Sequence, residues 1–128
     1  MLIRRLPGLE DSSRDWSVWM TLDHLRIVHL EMSRVIEALA KGENLSGQAS
    51  TAAVKPSPGV TGSILQTYED SCDHLLKTVE SVADLKTKST YAHPWFGPLN
   101  AENWFALAGT HLGIHRAQIG KILASMVD

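Results

Sequence analysis

Two histidines four residues apart, His111 and His115, present their imidazoles on one face of a helix and can converge on a single ion. They fall within an apolar stripe that also takes in Trp104, Ala108, Ile119 (or Gln118) and Ile122. A buried neutral imidazole needs a hydrogen-bond partner or a metal. Such pairs also arise in helices by chance, and the plain alternative is two core histidines bonded to backbone or water. A metal site needs a third ligand from another helix. His24, in the run Thr21-Leu-Asp-His-Leu, is the best candidate, about two turns into the first amphipathic segment at 3.6 residues per turn. His29 follows five residues later, roughly 140° around the helix, and points away from His24. His74 lies beside the apolar stripe of its own segment, and His93, before Pro94, reads as a loop or packing histidine. Three imidazoles with open coordination positions suit zinc, nickel or iron, with water completing the shell.

Three amphipathic segments must position these groups. The first spans about Ser17 to Ala40, with Asp15 or Ser17 as cap, Gly42 as stop, and Leu22, Leu25, Val28, Met32, Val35, Ile36 and Leu39 at helical spacing. Gly42 to Gly62 is rich in Gly, Ser, Asn and Thr, includes Pro56 and Pro58, and shows no periodicity. It is longer than the 2–8 residues or so of a normal helix–helix connection, so it is either a flexible linker or a long crossover. The second helix is expected over Ser63 to Lys86, on a stripe of Leu65, Tyr68, Cys72, Leu75, Val79 and Val82. Cys72 within it reads as a buried, inert thiol. Pro94 and Pro98 make Tyr91 to Pro98 a turn-rich bridge, whose Trp95 and Phe96 can plug one end of a core. The third helix runs from Asn100, a good cap, to about Met126, with Trp104, Leu107, Ala108, Ile119, Ile122 and Met126 on its apolar side. No segment reads as a strand. The expected fold is all-α, in a single domain over residues 1–128.

Composition narrows the setting. The 128 residues are 44% hydrophobic and 20% charged, ordinary for a globular domain that buries a core without disulfides. The net charge is -2, Arg4, Arg5 and Arg14 are sparse, and the helices show no basic face for nucleic acid. The one cysteine cannot form an internal disulfide, the N-terminus lacks a signal-peptide apolar run, and no stretch nears the ~18 apolar residues of a membrane span, so a cytoplasmic protein is expected.

Taken in order, Trp16-Ser17-Val18, Asp23-His24-Leu25, His93-Pro94-Trp95-Phe96-Gly97-Pro98-Leu99, Trp104, His111, His115 and Gln118 resemble the DinB/YfiT-like metalloprotein superfamily, in a branch with a His-Pro-aromatic-Phe-Gly motif. The resemblance spans roughly Trp16 to Ile122. It implies an up-down-down-up four-helix bundle holding a divalent metal on a histidine triad, which here is His24, His111 and His115. Ile114 stands where relatives often carry a further histidine, and Gln118 matches a glutamine that either orients a ligand or packs. The family's first helix precedes Trp-Ser-Val, but this sequence has only about 15 residues there, including Pro7 and Gly8. Three helices without a fourth leave an apolar groove, and completion by homodimerisation is expected.

The resemblance also implies an activity: transfer or isomerisation in which the metal activates a low-molecular-weight thiol or water. The first expectation is therefore a metal-dependent transferase or hydrolase acting on a small molecule. Asp23 and Glu102 are possible bases but read more simply as exposed or capping charges. The alternative is a non-catalytic helical binding or assembly module in which the metal, if present, is structural.

Overall fold

A computed structural model describes residues 11–50 and 52–126. Three helices carry the architecture: α1 (Val18–Ala40), α2 (Ile64–Ser81) and α3 (Ala101–Met126), with a small hairpin of β1 (Tyr91–His93) and β2 (Gly97–Leu99) before α3. The all-α expectation holds for the body of the molecule.

The ends of α1 follow from local chemistry. Ser17 sits in extended backbone and its hydroxyl accepts the Met20 N–H at 3.0 Å, satisfying one of the orphan donors of the first turn. At the other end Gly42 adopts φ 78°, Gly42 N–H donates to Leu39 O and Glu43 N–H reaches back to Ala38 O, both at 3.0 Å. That paired pattern is a Schellman stop, which needs a left-handed residue that glycine supplies at little cost. α3 begins with a reciprocal cap: Asn103 N–H donates to Asn100 Oδ1 at 2.9 Å and Asn100 N–H to Asn103 Oδ1 at 3.2 Å.

α1 is the central helix and packs against both others. Val18 packs near Ile122 and His24 meets His111 and His115, so α1 and α3 run antiparallel. Trp19 lies against Gly62 and His29 against Tyr68 and Cys72, so α1 and α2 run parallel. Parallel neighbours require residues 42–63 to carry the chain back along α1, and this crossover is pinned on the way. Ala49 N–H donates to Ala92 O at 2.9 Å, a 3-10 turn forms at Ala52–Val54, and Ser57 N–H donates to Asp23 Oδ2 at 2.9 Å. The main core joins Val28, Met32, Val35, Ile36 and Leu39 of α1 to Leu75 of α2 and to Ala101, Trp104 and Ala108 of α3.

Four expectations need correction. α2 ends at Ser81 rather than near Lys86: Val82 is extended, Asp84 Oδ1 takes the Lys86 N–H at 2.9 Å, and Val82 and Leu85 turn inward onto the core. Leu85 O then accepts the Glu102 N–H at 2.9 Å, so the lost turn caps α3 instead. Strands do occur, although each is three residues long, too short for a period-two pattern to register. Met126 is 68% exposed, a turn beyond Ile122, which packs beside Val18 at the start of α1. Leu65, expected on the apolar stripe, is 44% exposed. The expectation resting on Pro7 and Gly8 falls outside the described residues. Just after them, Asp11–Asp15 forms a 3-10 turn that reaches the site described next. Among the described residues, no helix is long and apolar enough to cross a membrane.

Candidate metal centre

His111 and His115 share a face as their spacing predicts, and His24, the candidate third member, joins them. Their candidate ligand atoms all lie within 4.8 Å of one another. His24 Nε2 is 3.0 Å from His111 Nε2, and His115 Nε2 is 3.1 Å from the same atom. Nitrogens bound at 2.0–2.1 Å around a tetrahedral zinc stand about 3.3 Å apart, so the triad is already close to ligand spacing.

The hydrogen bonds behind the rings fix which nitrogens carry lone pairs. His24 Nδ1 lies 2.7 Å from Val54 O, and a carbonyl can only accept, so Nδ1 carries the proton and Nε2 is bare. Gln118 Nε2 donates to Ser13 O at 2.7 Å, which orients its Oε1 as the acceptor for His115 Nδ1 at 2.6 Å. His115 Nε2 is bare for the same reason. Two lone pairs from different helices therefore aim at His111 Nε2. A single N–H there satisfies at most one of them well, and His111 Nδ1 is itself buried with no hydrogen-bond partner among the described residues. As three neutral imidazoles the cluster is under-satisfied; a cation with vacant coordination positions accepts the converging lone pairs together.

A proton does not fill that role near neutrality. Burial, then the neighbouring His115 and His24, push the His111 pKa down to about 3. Burial also lowers His24, partly offset by its bond to Val54 O. The donor set thus fits a divalent ion with imidazole preference, and the outer partners Val54 and Gln118 hold the ligand tautomers it requires. Trp16 packs on the same cluster, its ring 4.9 Å from His24 and 6.0 Å from His115, the latter nearly parallel at 14°.

On one side the triad faces a cavity of about 750 Å³, lined also by Trp16, Val54, Trp95, Phe96, Trp104 and Ile114. This volume lies within the range of roughly 300–1,000 Å³ typical of small-molecule sites. An ion held by the three imidazoles would thus have coordination positions facing open space.

The other candidates fall elsewhere. His29 is 2% exposed on a different side of α1, with Cys72 Sγ 3.6 Å from its Nδ1. His74 is exposed, and Cys72 is half-buried. His93 accepts hydrogen bonds in the hairpin turn, as a loop histidine, but lines the same cavity as the triad. Glu102 is exposed in the first turn of α3. Asp23 corrects its simpler reading: it is 2% exposed, taking Arg26 on Oδ1 at 2.9 Å and the Ser57 N–H on Oδ2. With both oxygens engaged it is a staple between α1 and the crossover. Ile114 packs beside Ile122, so an apolar contact occupies the position where a further histidine was considered. Sequence reasoning missed Val54, whose contribution is a backbone carbonyl, and left Gln118 open between orienting and packing. Its side chain is 0% exposed and bonded at both ends, to His115 and to Ser13, which favours orienting over packing alone.

A family model described as the DinB superfamily matches residues 4–119, so the chain belongs to the DinB superfamily. No curated protein and no solved structure matches it.

Proposed function

We propose that this DinB-superfamily chain is a metal-dependent enzyme of the transferase or hydrolase type, with His24, His111 and His115 as ligands of one zinc, nickel or iron ion. The observation that carries the reading is the convergence of His24 Nε2 and His115 Nε2 on His111 Nε2, with two of the tautomers fixed from behind by Val54 O and Gln118. A bound divalent ion lowers the pKa of a thiol or water and so supplies a nucleophile near neutral pH. The chain's own part is to hold three neutral imidazoles in register, to keep their protons on Nδ1 at His24 and His115, and to offer the adjoining cavity to a small-molecule substrate. Asp23, with both oxygens engaged, is not assigned as the base. The alternative of a purely structural metal is disfavoured by the cavity: structural sites are closed by four protein ligands, while catalytic ones keep a position open.

The test is elemental analysis of protein purified without a histidine tag, beside His24→Ala, His111→Ala and His115→Ala. Wild type should carry about one equivalent of metal per chain, as expected for a single three-imidazole site, and each variant should lose it while keeping most of its helix content. Full occupancy in the variants sinks the assignment. We also propose that two copies associate through the outer face of α2, where Leu65 and Leu76 are 44% and 52% exposed and lie three turns apart on one side. Sedimentation velocity should show a dimer that Leu65→Glu/Leu76→Glu dissociates; a wild type monomeric at all concentrations removes the proposal.

A further inference from the structure

The aromatic residues of the hairpin are not used by the metal site. Pro94, Trp95 and Phe96 form its tip between the paired residues His93 and Gly97. Gly97 has φ 73°, the left-handed position that closes a three-residue hairpin loop. His93 Nδ1 accepts from both tip amides, Trp95 N–H at 3.0 Å and Phe96 N–H at 3.3 Å. Its ring also lies against both aromatic rings, 5.5 Å from Trp95 and 4.8 Å from Phe96. The base is equally fixed: Tyr91 stacks on Trp104 at 5.8 Å, and Trp104 Nε1–H donates to Tyr91 O.

A tip tied down this thoroughly nevertheless leaves Trp95 64% and Phe96 62% exposed, so the two rings do not plug an end of the core as the sequence suggests. Two adjacent large aromatics at that exposure form an apolar patch that soluble surfaces usually avoid unless something binds there. They do not face outward alone. Both line the same cavity as His24, His111 and His115, together with Trp104, Leu107 and Ile114.

We propose that Trp95 and Phe96 are the recognition wall of this cavity, and that its ligand is a small molecule with a ring-bearing apolar body laid against them. Flat, rigid aromatic side chains suit offset or edge-on contact with another ring, and their tethered backbone means that little conformational entropy is lost on binding. The reach of the ligand's polar end to the triad rests on the metal reading; the seat for the apolar body does not. Because both side chains are mostly exposed before binding, their removal leaves the core in place.

The test uses N-phenyl-1-naphthylamine, an uncharged ring-bearing fluorophore, titrated into wild type, Trp95→Ala/Phe96→Ala and Leu123→Ala/Met126→Ala. The last pair removes exposed apolar side chains on α3 that do not line the cavity. Saturable binding of one probe per chain is expected, weakened about tenfold or more in the hairpin variant and unchanged in the α3 variant. Unaltered binding in the hairpin variant, equal loss in both variants, or non-saturable binding in wild type overturns the proposal. Titrating zinc into the same preparations separates the two readings. Zinc without probe binding refutes the recognition wall alone; probe without zinc binding refutes the metal site alone.

Discussion

Replacing Gln118 with leucine tests whether the residue behind His115 governs the metal site or only fills space. Gln118 is fully buried and makes two hydrogen bonds, accepting from His115 Nδ1 at 2.6 Å and donating to Ser13 O at 2.7 Å. Leucine conserves most of the volume and removes both. Each bond withdrawn from a buried group costs about 1–3 kcal/mol, so the apo protein should lose roughly 2–6 kcal/mol, nearer the low end if the Ser13 turn swings towards water. Freed from its acceptor, His115 loses the fixed Nδ1–H tautomer, and outer-partner changes of this kind weaken metal binding about 10–100-fold. Competition against a chromogenic zinc chelator measures the second effect, and thermal unfolding of the metal-free protein the first. Gln118→Glu separates them. Its carboxylate still accepts from His115, more strongly than the amide, but meets Ser13 O as a second acceptor, so zinc affinity should hold while stability falls. If the leucine variant binds zinc as tightly as wild type, Gln118 merely packs and the tautomer argument fails.

Two further outcomes follow from the same geometry. Unfolded histidines take up protons near pH 6.5, whereas His111 in the fold does so only at about 3, so the unfolded chain binds more protons across that window and stability falls as the pH is lowered through it. His111 alone should account for about 2 kcal/mol between pH 7 and pH 5 in metal-free protein, and His24, lowered by burial, acts in the same direction; denaturant melts showing no pH dependence there contradict the burial argument. Asp23→Ala removes the acceptor for Ser57 N–H and should cost about 1–3 kcal/mol, while Asp23→Asn, which keeps a carbonyl there, should cost less. Equal melting temperatures for the two variants would show that the staple does not hold the crossover.

What was legible in the sequence followed from helical period. His111 and His115 share a face because four residues nearly complete a turn, and His29 diverges from His24 because five overshoot it. The three helices were readable from their apolar stripes, and their ends from Ser17, Gly42 and Asn100. Backbone partners and non-local coverage were not. Nothing in the residue type of Val54 marks its carbonyl as the partner of His24. Asp23 reads as a surface charge on the period of α1 alone, and becomes buried only because a crossover with no periodicity of its own lies over it. The hairpin escaped because its pairing rests on one left-handed glycine and three-residue strands, well below the length at which alternation becomes visible.

The non-periodic segments are therefore the ones that give the helical histidines their chemistry. Two helices alone bring three imidazoles together but do not decide which nitrogen of each ring faces the centre. That decision comes from Val54 in the crossover and from Gln118, whose amide is itself oriented by Ser13 in the N-terminal turn. The crossover is anchored to α1 at Asp23, next to His24, and to the hairpin at Ala92. A shift of the crossover would thus act on the tautomer of His24, and at its other anchor on the hairpin whose tip lines the cavity. The histidine triad and the cavity wall are tied to one stretch of irregular chain, so a substitution far from the histidines in residues 42–63 can change both together.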